Sequence, residues 1–176
     1  KIIKKLKKLI KQFFSFLNLI ISKKKNYRFP IEADKEIIEF IKISKQFSMT
    51  DLHAMYVLSQ AILKAKTNKL DGDFVECGIW RGGNVLLLKL LNDYYKLNKS
   101  IFAFDTFDGM TAPSKFDIDF QNISAEEQLN KNDKSEDKKN IHCYSELETV
   151  KKNISKYTNL NNIKFVKGPV EKTLLD

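Results

Sequence analysis

A chain of 176 residues, 43% hydrophobic and 30% charged, has room for one domain plus an extension and is too apolar to be disordered throughout. Its formal charge of +9 is concentrated at one end: residues 1–25 hold nine lysines and no acid, while residues 26–176 hold 22 basic and 22 acidic side chains. The body is therefore neutral, which argues against a nucleic-acid-binding body.

In chain order, Ile2, Leu6, Leu9, Phe13, Phe16 and Ile20 recur at spacings of four and three among lysines, the pattern of a basic amphipathic helix over 1–25. Such a helix suits an anionic membrane surface, a partner, or its own domain. The apolar stretch Phe13 to Ile21 is about half the length a membrane span needs. No signal-peptide cleavage site follows it, so a cytoplasmic location is expected, with peripheral membrane association through residues 1–25 as the variant. The first residue is lysine rather than methionine, which fits a processed N-terminus or a partial sequence.

Residues 26–71 read as a helical cap region. One helix is expected from the N-cap Asp34 through Ile37, Ile38, Ile41 and Ser44 to Phe47, and a second from the N-cap Thr50 with Met55, Leu58, Ile62 and Ala65 on one face. From residue 72 the pattern becomes strand, turn and helix. Phe74–Cys77 is a short strand ending near an acid, Asn84–Tyr95 is apolar on nearly every side, and Ser100–Asp105 is a second strand that again ends in an acid. A helix so apolar must be buried against a sheet, and the strand–helix–strand order argues that the sheet is parallel.

Residues 111–144 are polar and lack periodicity, as expected of a lid, a binding loop or a disordered insertion. Ser145 and Glu148 then suggest a capping box for a helix whose buried face is Leu147, Val150, Ile154 and Tyr157. A third strand, Ile163–Val166, leads into Gly168. Cys77 and Cys143 show neither metal spacing nor a disulfide framework, and Cys77 reads first as a small buried strand residue.

In open parallel sheets ligands bind beyond the carboxyl ends of the strands, where Glu76, Gly78, Gly82, Gly83, Asp105 and Gly168 all fall. Glycines there permit close backbone approach and positive φ. A dinucleotide fingerprint would need a glycine at the position held by Trp80, and Glu76 beside a pyrophosphate would be repelled. S-adenosylmethionine, with a sulfonium and an ammonium against one carboxylate, suits Glu76 better than NAD. Asp105 is placed to accept hydrogen bonds from ribose hydroxyls, or else to serve as a turn or cap acid.

Three segments taken together, 72–83 (GDFVECGIWRGG), 104–110 (FDTFDGM) and 165–174 (FVKGPVEKTL), resemble the macrocin O-methyltransferase family of class I S-adenosylmethionine-dependent enzymes, over roughly residues 48–176. The resemblance implies an α/β, Rossmann-like class I methyltransferase fold with a parallel-sheet core, and methyl transfer to a hydroxyl of a sugar or glycosylated small molecule with help from magnesium. On this reading 72–176 is a partial cofactor-binding domain. Glu76, Gly78 and Gly82 line the methionine side of the cofactor, Asp105 the ribose and the Gly168 turn the adenine edge. Cys77, Trp80, Gly83, Thr106 and Val170 complete the expected cofactor set, with Met49 and Thr50 nearby.

The family's metal-binding carboxylates follow the fourth and fifth strands, and this sequence supplies three, so no metal ligand is carried over and magnesium ligands are expected beyond residue 176. For the catalytic base the candidate is His142, since imidazole exchanges protons near neutral pH, whereas His53 reads as a surface or packing residue. A sheet cut after its third strand would leave its first strand with an open edge, so self-association, inactivity of this segment alone and a homo-oligomer are further expectations. The alternatives are a NAD-type oxidoreductase and a non-catalytic membrane-surface module.

Overall fold

The computed structural model describes residues 28–131 and 141–174. The expected helix over 1–25 and part of the polar loop lie outside these residues. Among them the chain order is α1 (Lys35–Lys45), α2 (Leu52–Thr67), β1 (Phe74–Cys77), α3 (Gly83–Tyr94), β2 (Ile101–Asp105), α4 (Ala125–Asn130), α5 (Leu147–Ser155), β3 (Ile163–Lys167) and α6 (Val170–Thr173). The strands form one parallel sheet in the order β1-β2-β3. Phe74 lies opposite Ile101, Cys77 opposite Phe104, and Asp105 opposite Lys167. The carboxyl ends of β1 and β2, with their acids, are thereby brought side by side.

Helix α3 is the hub. Val85, Leu86, Leu87 and Leu91 are fully buried, and the helix packs against β1, β2, α1, α2 and α5. A helix covered on so many sides has little room for charge; Lys89 is buried too, and its ammonium is satisfied one turn on by both carboxylate oxygens of Asp93 at 2.6 Å. Asn92, also buried, joins α3 to β2: its amide donates to the Lys99 carbonyl and its oxygen accepts from the Lys99 N–H.

Several local expectations need correction. The N-cap of α2 is Asp51, whose Oδ1 accepts from the Ala54 N–H at 2.9 Å, because the Thr50 hydroxyl is occupied by the side chain of Asn84. The capping box at Ser145 does not form: α5 begins one residue later with Glu146 as N-cap, and the Ser145 hydroxyl is buried without a hydrogen-bond partner. Tyr157 lies past the end of α5, 41% exposed, with its ring near Phe47. The described part of the polar segment carries local structure of its own. Ile118 and Ser124 pair across a short antiparallel bridge, and Ser124 then caps α4 by accepting from the Glu127 N–H.

Cys77 is exposed rather than buried. Side chains alternate along β1: Phe74 joins the core on the α3 side, while Val75, 55% exposed, and Cys77 share the opposite face, which no helix covers among the described residues. Among the described residues β1 also pairs on one edge only. No described helix is long and apolar enough to cross a membrane.

The start of α3 is fixed by close packing. A Cβ built on Gly83 would come within 2.5 Å of the Ser48 side chain and 2.6 Å of the Ser44 carbonyl oxygen, and the Gly83 N–H donates to the Phe47 carbonyl. Gly83→Ala should therefore lower stability by roughly 1–3 kcal/mol, an overpacking effect, with the melting temperature as readout. Gly72→Ala, at a position with open space around it, should show only the smaller strain of its positive φ.

Candidate cofactor site

The turn after β1 is held by one carboxylate. Asp105, at the end of β2, accepts from the Ile79 N–H (2.7 Å) and the Trp80 N–H (3.1 Å) through Oδ2, and from the Phe107 N–H (2.8 Å) through Oδ1. Its own carbonyl accepts from the Gly168 N–H at 3.0 Å. One residue thus ties together the three loops that leave β1, β2 and β3. A carboxylate offers about four acceptor positions, so three backbone donors leave about one for a ligand. The turn-acid role of Asp105 is present in the structure, and a ribose contact would have to share what remains.

Glu76 is oriented by a second network. Its Oε1 accepts from the Asn84 side-chain amide at 3.0 Å; the same amide donates to Thr50 Oγ1, and Asn84 Oδ1 accepts from Ser48 Oγ at 3.2 Å. Sequence reasoning missed Asn84 and Ser48. The available signal was Asn84 as a polar residue opening an otherwise apolar helix, one residue after the paired glycines.

The expected site residues separate into groups. Cys77, Gly78, Asp105, Thr106, Gly168 and Val170 line one cleft of about 380 Å³ at the carboxyl ends of the strands. A neighbouring hollow of about 790 Å³ shares Thr106 and Gly168 with it. Glu76, Trp80, Gly82 and Gly83 are not in the lining of either. Gly82 has φ +86°, and a Cβ on it would approach Val150 Cγ1 to 2.8 Å, so packing under α5 accounts for this glycine, as packing against Ser44 and Ser48 accounts for Gly83. Gly78 is different: its φ is +78° and nothing lies within 4 Å of a Cβ built there, which leaves its side of the cleft open to a ligand. Trp80 takes a left-handed conformation with φ +49°, and the Arg81 guanidinium lies 4.8 Å from the centre of its ring.

His142 contributes its backbone: its carbonyl accepts from the Met110 N–H at 2.8 Å, and a Cβ on Gly109 would meet that oxygen at 2.4 Å. It is not among the residues lining these clefts. His53 is exposed on α2. Among the described residues no group of three or more His, Cys, Asp or Glu side chains is arranged to hold a metal ion.

The family model for macrocin O-methyltransferases (TylF) matches residues 42–176. The chain belongs to the macrocin O-methyltransferase family. No curated protein matches it. Among solved structures, the O-methyltransferase NovP superposes with a TM-score of 0.56 at 19% identity, covering 96% of this chain and 65% of that one. CalS11, a calicheamicin methyltransferase, covers 87% of this chain and 66% of its own at 12% identity and a TM-score of 0.39. The likeness to NovP establishes a shared fold, and this family member spans about two thirds of the NovP chain.

Asp105→Asn replaces one acceptor oxygen by a donor that faces donors. It should lower stability by about 1–3 kcal/mol and alter the emission of Trp80, the one tryptophan of the sequence, as the turn loosens. Denaturant titration followed by tryptophan fluorescence measures both.

Proposed function

We propose that this chain forms the cofactor-binding part of an S-adenosylmethionine-dependent O-methyltransferase that transfers a methyl group to a hydroxyl of a sugar or glycosylated small molecule. The observation that carries the reading is the Asp105-clamped turn: a left-handed Gly78 with open space beside it, at the carboxyl end of β1, in a chain of the macrocin O-methyltransferase family. Sugar-modified natural products as acceptors rest on the family name alone, while O-methyl transfer is also what NovP is named for, and both are carried to this chain as part of the proposal.

The residues fit such a cofactor in kind. The cleft between Gly78, Asp105 and Gly168 is concave and of the size small-molecule sites have. On this reading Gly78 and Cys77 border the methionine portion, the remaining acceptor capacity of Asp105 meets the ribose, and Thr106, Gly168 and Val170 border the adenine. Glu76, held by Asn84 next to Cys77 and Gly78 but outside the cleft lining, would supply negative charge on the side where the cofactor is positive. When bound, the cofactor supplies an electrophilic methyl group on sulfonium sulfur. An alcohol attacking it must lose its proton, and His142 is the proposed acceptor of that proton. Magnesium belongs to the same family expectation, but the described residues offer no set that would hold it, so no step is drawn through it.

Calorimetric titration of the complete protein with S-adenosylhomocysteine tests the reading. Stoichiometric binding is expected with no binding of NAD, and the reverse result would favour a nucleotide-dependent oxidoreductase. Glu76→Gln should weaken S-adenosylhomocysteine binding by about tenfold, the loss of one charge-assisted contact of roughly 1.4 kcal/mol, with an unchanged melting profile.

A further inference from the structure

The segment after the clamped turn is built inside out. Its carboxylates turn toward its own backbone: Asp117 Oδ2 accepts from the Ser114 N–H and hydroxyl, and Asp119 Oδ1 accepts from the Gln121 and Ile123 N–H groups. The Ser114 hydrogen bonds, from its backbone N–H first and its hydroxyl second, lower the Asp117 carboxyl from its ordinary value of 3.8, so what this carboxylate contributes to the turn is present above that value and is lost as pH falls through the lowered one. The large apolar side chains of the segment stay exposed beside these carboxylates. Met110 is 60% exposed, Phe116 78% and Ile118 57%, and with Leu129 and Ile141 they border an open cleft of about 470 Å³.

Leaving large side chains in water forgoes about 25 cal/mol for each Å² of apolar surface that burial would remove. A hydrogen-bonded loop that holds them outward around a concavity is therefore arranged to cover something apolar. What it covers follows from continuity: Met110 and Thr111 line both this cleft and the one formed by Gly78, Asp105 and Gly168. An occupant of the apolar cleft adjoins whatever fills the cofactor cleft.

We propose that the Met110–Phe116–Ile118 cleft is a binding subsite for the apolar ring portion of the methyl acceptor, and that it selects a neutral or cationic group over an anionic one. This rests on the methyltransferase reading above, which assigns the adjoining cleft to the cofactor. The charge preference follows from Asp117 and Asp119, which also border the cleft: their carboxylates, turned by Ser114 and by the Gln121 and Ile123 N–H groups, put negative charge beside any occupant. Size and shape of the ring, rather than polar contacts, would set which acceptors are taken. The residues are exposed, so substituting them leaves the core intact.

The test uses the complete protein and the neutral fluorophore N-phenyl-1-naphthylamine, whose emission rises in apolar surroundings, with S-adenosylhomocysteine binding measured in parallel. Saturable one-to-one fluorophore binding is expected, weakened at least tenfold by the double substitution Phe116→Ser and Ile118→Ser, while S-adenosylhomocysteine affinity stays within twofold. The anionic analogue 1-anilinonaphthalene-8-sulfonate should bind more weakly than the neutral probe. Fluorophore binding that the double substitution leaves unchanged would overturn the subsite, as would a change of oligomeric state in the variant, which would assign the cleft to a second copy of the chain. Loss of S-adenosylhomocysteine binding in the unsubstituted protein, with fluorophore binding still sensitive to the substitutions, would instead overturn the methyltransferase reading and leave an apolar-ligand site standing.

Discussion

The Asp105 carboxylate is the constraint on which the candidate site depends. Parallel strands align their carboxyl ends, but the connections leaving those ends have no ladder to hold them. Here one side chain satisfies the N–H groups of Ile79, Trp80 and Phe107, and the backbone of the same residue receives Gly168. Hydrogen bonds to a charged acceptor are stronger than neutral ones, which suits an acid to the task of holding a loop whose Trp80 is in the left-handed region. The loop is thus shaped before any ligand arrives, and a ligand would meet a preformed surface rather than order one.

The clamp works only because α3 fixes the other side of the turn. Gly82 and Gly83 let the helix start in contact with α5 and with the α1–α2 connection, and four fully buried aliphatic side chains lock it between the sheet and the neighbouring helices. Asn84 then sits where it reaches Glu76, Thr50 and Ser48 at once. The cap region thereby positions a charge at the end of β1, although it lies far from that strand in sequence. Packing and site chemistry are carried by adjacent residues of one turn.

Much of this was legible in the chain. Phe74–Cys77 and Ser100–Asp105 announced themselves as short apolar runs ending near acids, and α3 as a helix too apolar to face water. Legibility failed where two residues competed for one role. Asp51 took the cap that Thr50 was expected to supply, because the Thr50 hydroxyl was engaged by Asn84, and Ser145 was drawn into the interior while Glu146 became the cap. Such outcomes depend on partners distant in sequence, which a local pattern does not contain. Cys77 failed for a different reason: its residue type favours burial, but its register put it on the face of β1 opposite α3.

The glycines show how one motif serves two purposes. The sequence presented Gly78, Gly82 and Gly83 as a single ligand-facing turn, yet a Cβ meets nothing at Gly78 and meets neighbouring protein at both of the others. Only the first is open to a ligand; the other two allow the helix to approach its neighbours. A substitution at Gly78 would therefore act on the cleft and on backbone strain, whereas one at Gly83 would act on the fold. The same division extends along the next connection, where Asp117 and Asp119 spend their charge on backbone turns and Met110, Phe116 and Ile118 are left facing outward. In both segments carboxylates that resemble a binding motif also hold the scaffold, and glycine backbone and apolar side chains supply much of the surface beside them that is open to a ligand.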